Sequence, residues 1–556
     1  MNKIELTHVT SREVSSHDPS TSISHRIDAR HVTDPDELLA EIGYKPELKR
    51  TFGTLEVFGI AFSIMGLLPS IATVMSMGLT GGPVTLLWGW FIAGFLILTM
   101  GIAMSEMASS IPTSGGLYYW THYFAPPSLK NTLSFIIGTS NSLSLTGGVC
   151  SITYGFAQQV LAAAYLGSNG SFKITNAMTF GVFAAGIIAE FLITCFASGA
   201  ISRLQTTSIV ANVILIVIFF IALPIGTAKN ASFNDASFIF GKFENSSTWP
   251  SGWAFIQFGF GGCAWVISGF DSCIHMAEEA KNPSKSIPYG IIGSITVCWI
   301  TGFFIMIVIG ACITPDIASI LQSSTGQPLA QIFYDSLGQK WAVAFISLSA
   351  ICQFFMAASC MTASSRQIWA FARDDGLPFS SFIKVVNKKF AVPIRAVVAS
   401  AIAAATMGLL ILAGPIAANA LFSISIIGNY VSWSTPQVLR LFFSKNLFKP
   451  GPFYLGKVFS PIVVSVSILA QYLILVFSFF PTTSHVSDAK TMNYAIVVNV
   501  GAWSLALIYY FSLKRNIYIG PKSNLPDEEF IEGIDYDVHG GKDSGDQISY
   551  GKGNGN

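Results

Sequence analysis

Residues 58–78 read FGIAFSIMGLLPSIATVMSMG, an uncharged apolar run close to the roughly 20 residues a helix needs to cross a bilayer, with Gly66 and Pro69 in its middle. Proline removes a backbone donor and glycine weakens a helix, so an unwound stretch is expected from about Ser63 to Pro69. A second run, residues 253–283, reads WAFIQFGFGGCAWVISGFDSCIHMAEEAKNP; it carries Gly259, Gly261, Gly262 and Gly269, with Asp271 just beyond the last. A break is expected there around Ser268 to Phe270. Broken helices at corresponding positions in two five-helix halves point to a transporter built from inverted repeats. The same glycines would also serve simple close packing of helices.

Outward from these two runs, apolar stretches of spanning length number twelve, centred near residues 66, 94, 150, 187, 216, 265, 302, 352, 405, 431, 471 and 504. The reading is an all-α integral membrane protein with a twelve-helix domain at 53–514, between tails at 1–52 and 515–556. An even number of spans puts both tails on one side. With the tails inside, nineteen Lys and Arg fall on inner flanks and loops and five on outer ones, which is the bias cytoplasmic loops carry. Sequons at Asn169, Asn230 and Asn245 all fall in the expected outer loops. The N-terminus lacks the short apolar core of a cleavable signal peptide, so the first span itself is expected to act as the targeting signal.

Composition agrees: 51% of the 556 residues are hydrophobic and only 11% charged, far below the roughly 25% of soluble proteins. Lys and Arg exceed Asp and Glu by one, so the basic excess that nucleic acid demands is missing. The eight cysteines lie in or beside apolar runs with no Cys-x-x-Cys pair, and read as small packing residues rather than a disulfide or zinc framework. No HExxH, Cys-rich or paired His and Asp motif suggests an enzyme.

Four strings carry a resemblance: FGIAFSIMGLLPSIATVM, the loop SSIPTSGGLYYWTHYFAP (109–126), SGFDSCIHMAEEAKNPSKSIP (268–288) and SSRQIWAFARDDGLP (364–378). In this order they resemble the amino acid, polyamine and organocation (APC) transporter superfamily, with the nearest likeness to fungal GABA permeases. The likeness runs from about Leu38 to about Tyr518. It implies a five-plus-five inverted repeat with broken first and sixth helices and two added C-terminal helices. It also implies secondary active, proton-coupled uptake of GABA or a related ω-amino acid or amine such as putrescine, with no cofactor beyond the proton gradient. A general amino acid or choline permease, or a nutrient receptor that keeps the fold, are the alternatives. Either the plasma or the vacuolar membrane would suit, with cytosolic regulators acting on the tails.

A zwitterion needs partners for both charges in a low-dielectric interior, and an unwound helix supplies them from its backbone. Ser63, Ile64, Met65, Gly66 and Leu67 in the first break, and Ser268, Gly269 and Phe270 in the second, are the candidate binding residues. Relatives often have a Gly-Ser-Gly type sequence at the first break, which Leu67, Leu68 and Pro69 do not match. The carboxylate is expected at the first break and the amine near the second. Asp271, at membrane depth, is expected to face the amine or carry the coupling proton, or else to cap the inner half-helix. Spacing puts Asp271, His275 and Glu279 on one helix face, a path for a proton. Trp265 matches the aromatic gate of many relatives, and Asn212 matches the position where some carry a lysine in place of a sodium site. Glu190 in the fourth span reads as a structural bond, and the amides of Asn141, Gln353 and Asn429 as links between helices.

Overall fold

A computed structural model describes residues 34–196, 201–387, 392–485 and 492–523, so the distal parts of both tails, with Lys388, Lys389 and Lys490 of the basic count, lie outside the described residues. A short helix α1 (Pro35–Glu41), capped by the Asp34 carboxylate, precedes α2 (Thr54–Met65), where the Glu56 side chain reaches back to the Gly53 N–H. Next come α3 (Leu67–Leu79), α4 (Gly82–Ser110), α5 (Gly116–Phe124), α6 (Lys130–Gly167), α7 (Asn176–Phe196) and α8 (Ile201–Asn230). After the short α9 (Ala236–Gly241) follow α10 (Ser251–Val266), the four-residue α11 (Ser272–His275) and α12 (Pro283–Cys312). The chain continues through α13 (Ile317–Leu321), α14 (Pro328–Leu337), α15 (Gln339–Arg373), α16 (Ser380–Ile383) and α17 (Ile394–Gly408). It finishes in α18 (Pro415–Val438), α19 (Gly456–Phe479) and α20 (Tyr494–Tyr509).

Prolines open several of these helices, including α12, α14 and α18, where the missing N–H is one the helix would leave unbonded anyway. Among the described residues nine segments are long and apolar enough to cross a membrane: α2 with α3, then α4, α7, α8, α12, α15, α17 with its last 3-10 turn, α19, and α20 with its last π turn. The chain is a multi-pass membrane protein. On α8, Val210, Val213, Val217, Ile221 and Ile225 form an exposed apolar row, a face made for lipid. By contrast α6 is rich in Ser, Thr and Gly and buries most of that polar surface between α15 and α18. A helix screened from lipid tolerates hydroxyls, which return their hydrogens to their own backbone, as Thr139, Ser142, Thr146 and Thr153 do.

The two ends of the bundle differ. One gathers Asn230 against Ser336, Gln339 against Leu166 and Trp249 against Pro481. The other gathers the described parts of both tails, residues 34–52 and 515–523, and the ion pairs described below. The three sequons fall at the first end: Asn169 sits in a left-handed turn after α6, while the Asn230 and Asn245 amides bond to Ser336 and Trp249 carbonyls.

Candidate functional site

The first break is narrower than its sequence suggests. Helix α2 continues through Ser63, Ile64 and Met65, and α3 resumes at Leu67, so only Gly66 leaves the helix, at φ +39°. Pro69 falls in the first turn of α3, where its missing donor costs nothing. The second break is wider than expected: residues 267–271 are non-helical and Gly269 sits at φ +74°. The two breaks touch, since a Cβ on Gly269 would come within 2.7 Å of the Ile64 side chain.

Where they meet lies a small cavity of about 20 Å³. Ile64, Trp265, Ser268 and Gly269 form one wall. Ser144, Leu145, Gly148 and Ile152 of α6, Met356 and Cys360 of α15, and Ser425 and Asn429 of α18 complete it. No lining side chain is charged. Trp265 donates to Ser151 at 3.3 Å and meets Phe422 edge-on, which fixes its ring in the wall. The Ser268 hydroxyl bonds back to the Trp265 carbonyl.

The other sequence candidates stand off the cavity. Met356 lies over Gly66, where a Cβ would fall 2.5 Å from its sulfur. Met65 gives its carbonyl to Ser70, Ser63 keeps a buried hydroxyl without a partner among the described residues, and Leu67 is buried. Phe270 packs against Trp433 with 4.4 Å between ring centroids and the rings tilted by 37°. Asn212 is buried on α8, its amide bonded to the Ser208 carbonyl one turn back and its oxygen without a partner among the described residues. Asn429, read from sequence as a helix link, does bond Ser144 but also lines the cavity. Gln353 and Glu190 serve as links, to the Ile152 carbonyl and the Thr153 hydroxyl.

Asp271 is fully buried behind the second break. Its side chain does not cap α11; one oxygen accepts from Asn141 at 3.2 Å and the other has no partner among the described residues. His275 follows one turn on, with Nδ1 3.0 Å from the Ser114 carbonyl and Nε2 3.8 Å from the Asp271 carboxylate. A carbonyl only accepts, so Nδ1 carries a hydrogen and Nε2 is the ring nitrogen that faces Asp271. The expected stripe stops here, because α11 ends at His275 and Glu279 turns away to Arg366 at 2.9 Å. Glu278 holds Arg373 through two bonds of 2.9 and 3.1 Å and also accepts from the Ser114 N–H.

These pairs close the tail end. Thr51 and Phe52, just before α2, bond the Glu279 carbonyl, and Lys281 returns a bond to Phe52, tying the approach to the first break to the exit from the second. Asp374 accepts from the Tyr44 and Tyr118 hydroxyls at 3.0 and 2.6 Å and from the Lys522 amide. Burial lifts its carboxyl to about 6, with Arg373 and the hydroxyls pulling the other way.

An amino acid permease family profile matches residues 52–502. The chain belongs to the amino acid permease family of the APC superfamily. It is 55% identical to a GABA-specific permease of Saccharomyces cerevisiae, over 92% of this chain and 90% of that one. An uncharacterised amino-acid permease of Schizosaccharomyces pombe is 36% identical over 91% and 92% of the two chains. A putative polyamine transporter of Candida albicans is 31% identical over 94% of each. This permease is therefore a secondary transporter and not an enzyme.

Proposed function

We propose that this permease carries GABA and related ω-amino acids, driven by protons, with diamines such as putrescine as weaker substrates. The observation that carries the substrate reading is the 55% identity, along 92% of the chain, to a GABA-specific permease. The twelve spans of the reading are α2 with α3, α4, α6, α7, α8, α10 with α11, α12, α15, α17, α18, α19 and α20, with the first and sixth as the paired broken helices of an inverted repeat. Both tails are cytosolic, and the membrane is that of the cell surface or the vacuole.

The substrate's ammonium docks at the second break, where Ser268 and Gly269 line the cavity and Asp271 lies two residues further on. Asp271 and His275 hold the coupling proton between them. The Ser114 carbonyl accepts from His275 Nδ1, which leaves Nε2 facing Asp271. Trp265 closes over the bound substrate. Asn212 supplies no titrating charge and acts on affinity.

Radiolabelled uptake in cells lacking their own permeases tests the substrate: unlabelled GABA should displace labelled GABA far better than alanine or glutamate. Equal inhibition by common α-amino acids would make this a general amino acid permease.

A further inference from the structure

We propose that the segment joining α15 to α17, residues 376–395, binds anionic phospholipid at the membrane surface of the tail end. It contains Lys384, Lys388, Lys389 and Arg395, no Asp or Glu, and the aromatic residues Phe379, Phe382 and Phe390. Such a mixture suits the headgroup level of a bilayer, where aromatic rings enter the interface and cations meet lipid phosphates. Lys388, Lys389 and Phe390 lie outside the described residues, so the geometry rests on Phe379, Phe382, Lys384 and Arg395.

Two apolar spans meet this segment, one ending at Arg373 and the next beginning at Ile394. On the second, Ile402 and Leu409 are exposed, and Arg395 precedes them at the seven-residue spacing that returns to the same helix face. That apolar row faces lipid, and Arg395 stands at its foot, where the span reaches the headgroups. The Arg395 guanidinium lies 4.4 Å from the Phe382 ring centroid and donates to the Phe382 carbonyl at 3.2 Å. Helix α16 is thereby drawn against the end of the lipid-facing row.

The aromatic rings are held outward by a fixed turn. Phe379 is 83% exposed at φ +55°, a left-handed conformation rare for a bulky residue, and Phe382 is 55% exposed. The Ser380 hydroxyl closes the turn, donating to the Leu377 carbonyl at 2.6 Å and accepting from the Leu377 N–H at 3.0 Å. Trp369 of α15 donates to the Lys384 carbonyl at 3.1 Å and pins the other end of α16. A strained turn that holds a phenylalanine clear of the bundle points to an apolar surface beyond it. The charge beside it is positive. Asp375 takes Lys522 at 2.7 Å and Lys384 only at 3.6 Å, so it neutralises one of these lysines at most. Arg395 meets no carboxylate among the described residues. An anionic lipid surface answers both needs, with an apolar layer for the rings and phosphates for the cations.

The eight native cysteines are buried, so Ser381→Cys, at an exposed position between the two rings, places a single reactive thiol in the segment for a small fluorophore. The labelled full-length chain is reconstituted in vesicles of phosphatidylcholine and phosphatidylserine, with one or the other brominated to the same amount. Quenching by brominated phosphatidylserine should exceed that by brominated phosphatidylcholine about twofold or more. Raising the salt to about 1 M should remove most of that excess without any substitution. Lys384→Gln combined with Arg395→Gln should at least halve it, while quenching by brominated phosphatidylcholine persists. Equal quenching by the two lipids, or an excess that high salt leaves intact, would overturn recognition of the anionic headgroup. Absence of quenching by either lipid would also overturn the proposal, and would leave the patch to a protein partner or a second copy of this chain.

Discussion

Around the cavity the polar groups are neutral hydroxyls, an amide and backbone, whereas the tail end of the bundle is held by Arg366 with Glu279, Arg373 with Glu278, and Arg440 with Glu106. The difference follows from what each region must release. A fixed charge beside a zwitterion would hold it too tightly and would stand unpaired once it left. Charges that pair with each other across moving segments can part and rejoin. Glu278 and Glu279 follow α11, so the segment that carries the proposed substrate break is also the one latched to α15.

The comparison is broken most severely at a latch. Arg373→Ala leaves Glu278 buried without its partner, and the stability lost should be about 3–5 kcal/mol, read as the melting of purified protein. Replacing both residues with methionine should recover much of that loss. Equal destabilisation by the single and double variants would mean the two charges are not coupled.

At the cavity the corresponding change is Gly269→Leu or Gly66→Leu. Both glycines have positive φ, and a side chain would meet Ile64 or Met356, so uptake should fall to background while surface expression holds. Near-normal transport by both variants would remove the site from the breaks.

The smallest effect sharpens the comparison. Burial raises Asp374 to about 6, and opening of the tail end would return it to the ordinary carboxylate range. Protonation therefore favours the packed arrangement; that contribution is complete below the ordinary range and fades as pH climbs through about 6. Acidifying the tail side from about pH 7 to about pH 5 should favour the closed tail end by about tenfold. Labelling of single cysteines placed beside Tyr44 would report it, and Asp374→Asn should abolish the pH dependence.

Local chemistry made the breaks legible, because Gly66, Pro69 and Gly269 interrupt apolar runs that otherwise read as plain spans. Their extent was not: Ser63 to Met65 stay helical because their backbone bonds run back to residues before the glycine, and a proline in the first turn of α3 interrupts nothing. The Asp271, His275 and Glu279 stripe assumed a helix that ends after four residues, once Glu279 is drawn to Arg366, 87 positions away. The place of Asn429 in the lining was missed for a similar reason. Asn429 does bond a neighbouring helix, as its sequence context suggests, and only the crossing of α6 with α18 shows that it also lines the cavity.

Reconstitution into vesicles with a trapped pH dye tests the coupling role of Asp271 most directly. Adding GABA outside should acidify the interior of vesicles carrying the wild-type chain. Asp271→Asn should exchange labelled GABA across the membrane with little acidification. Acidification by the variant at the wild-type rate, or uptake that requires sodium and ignores pH, would contradict the assignment.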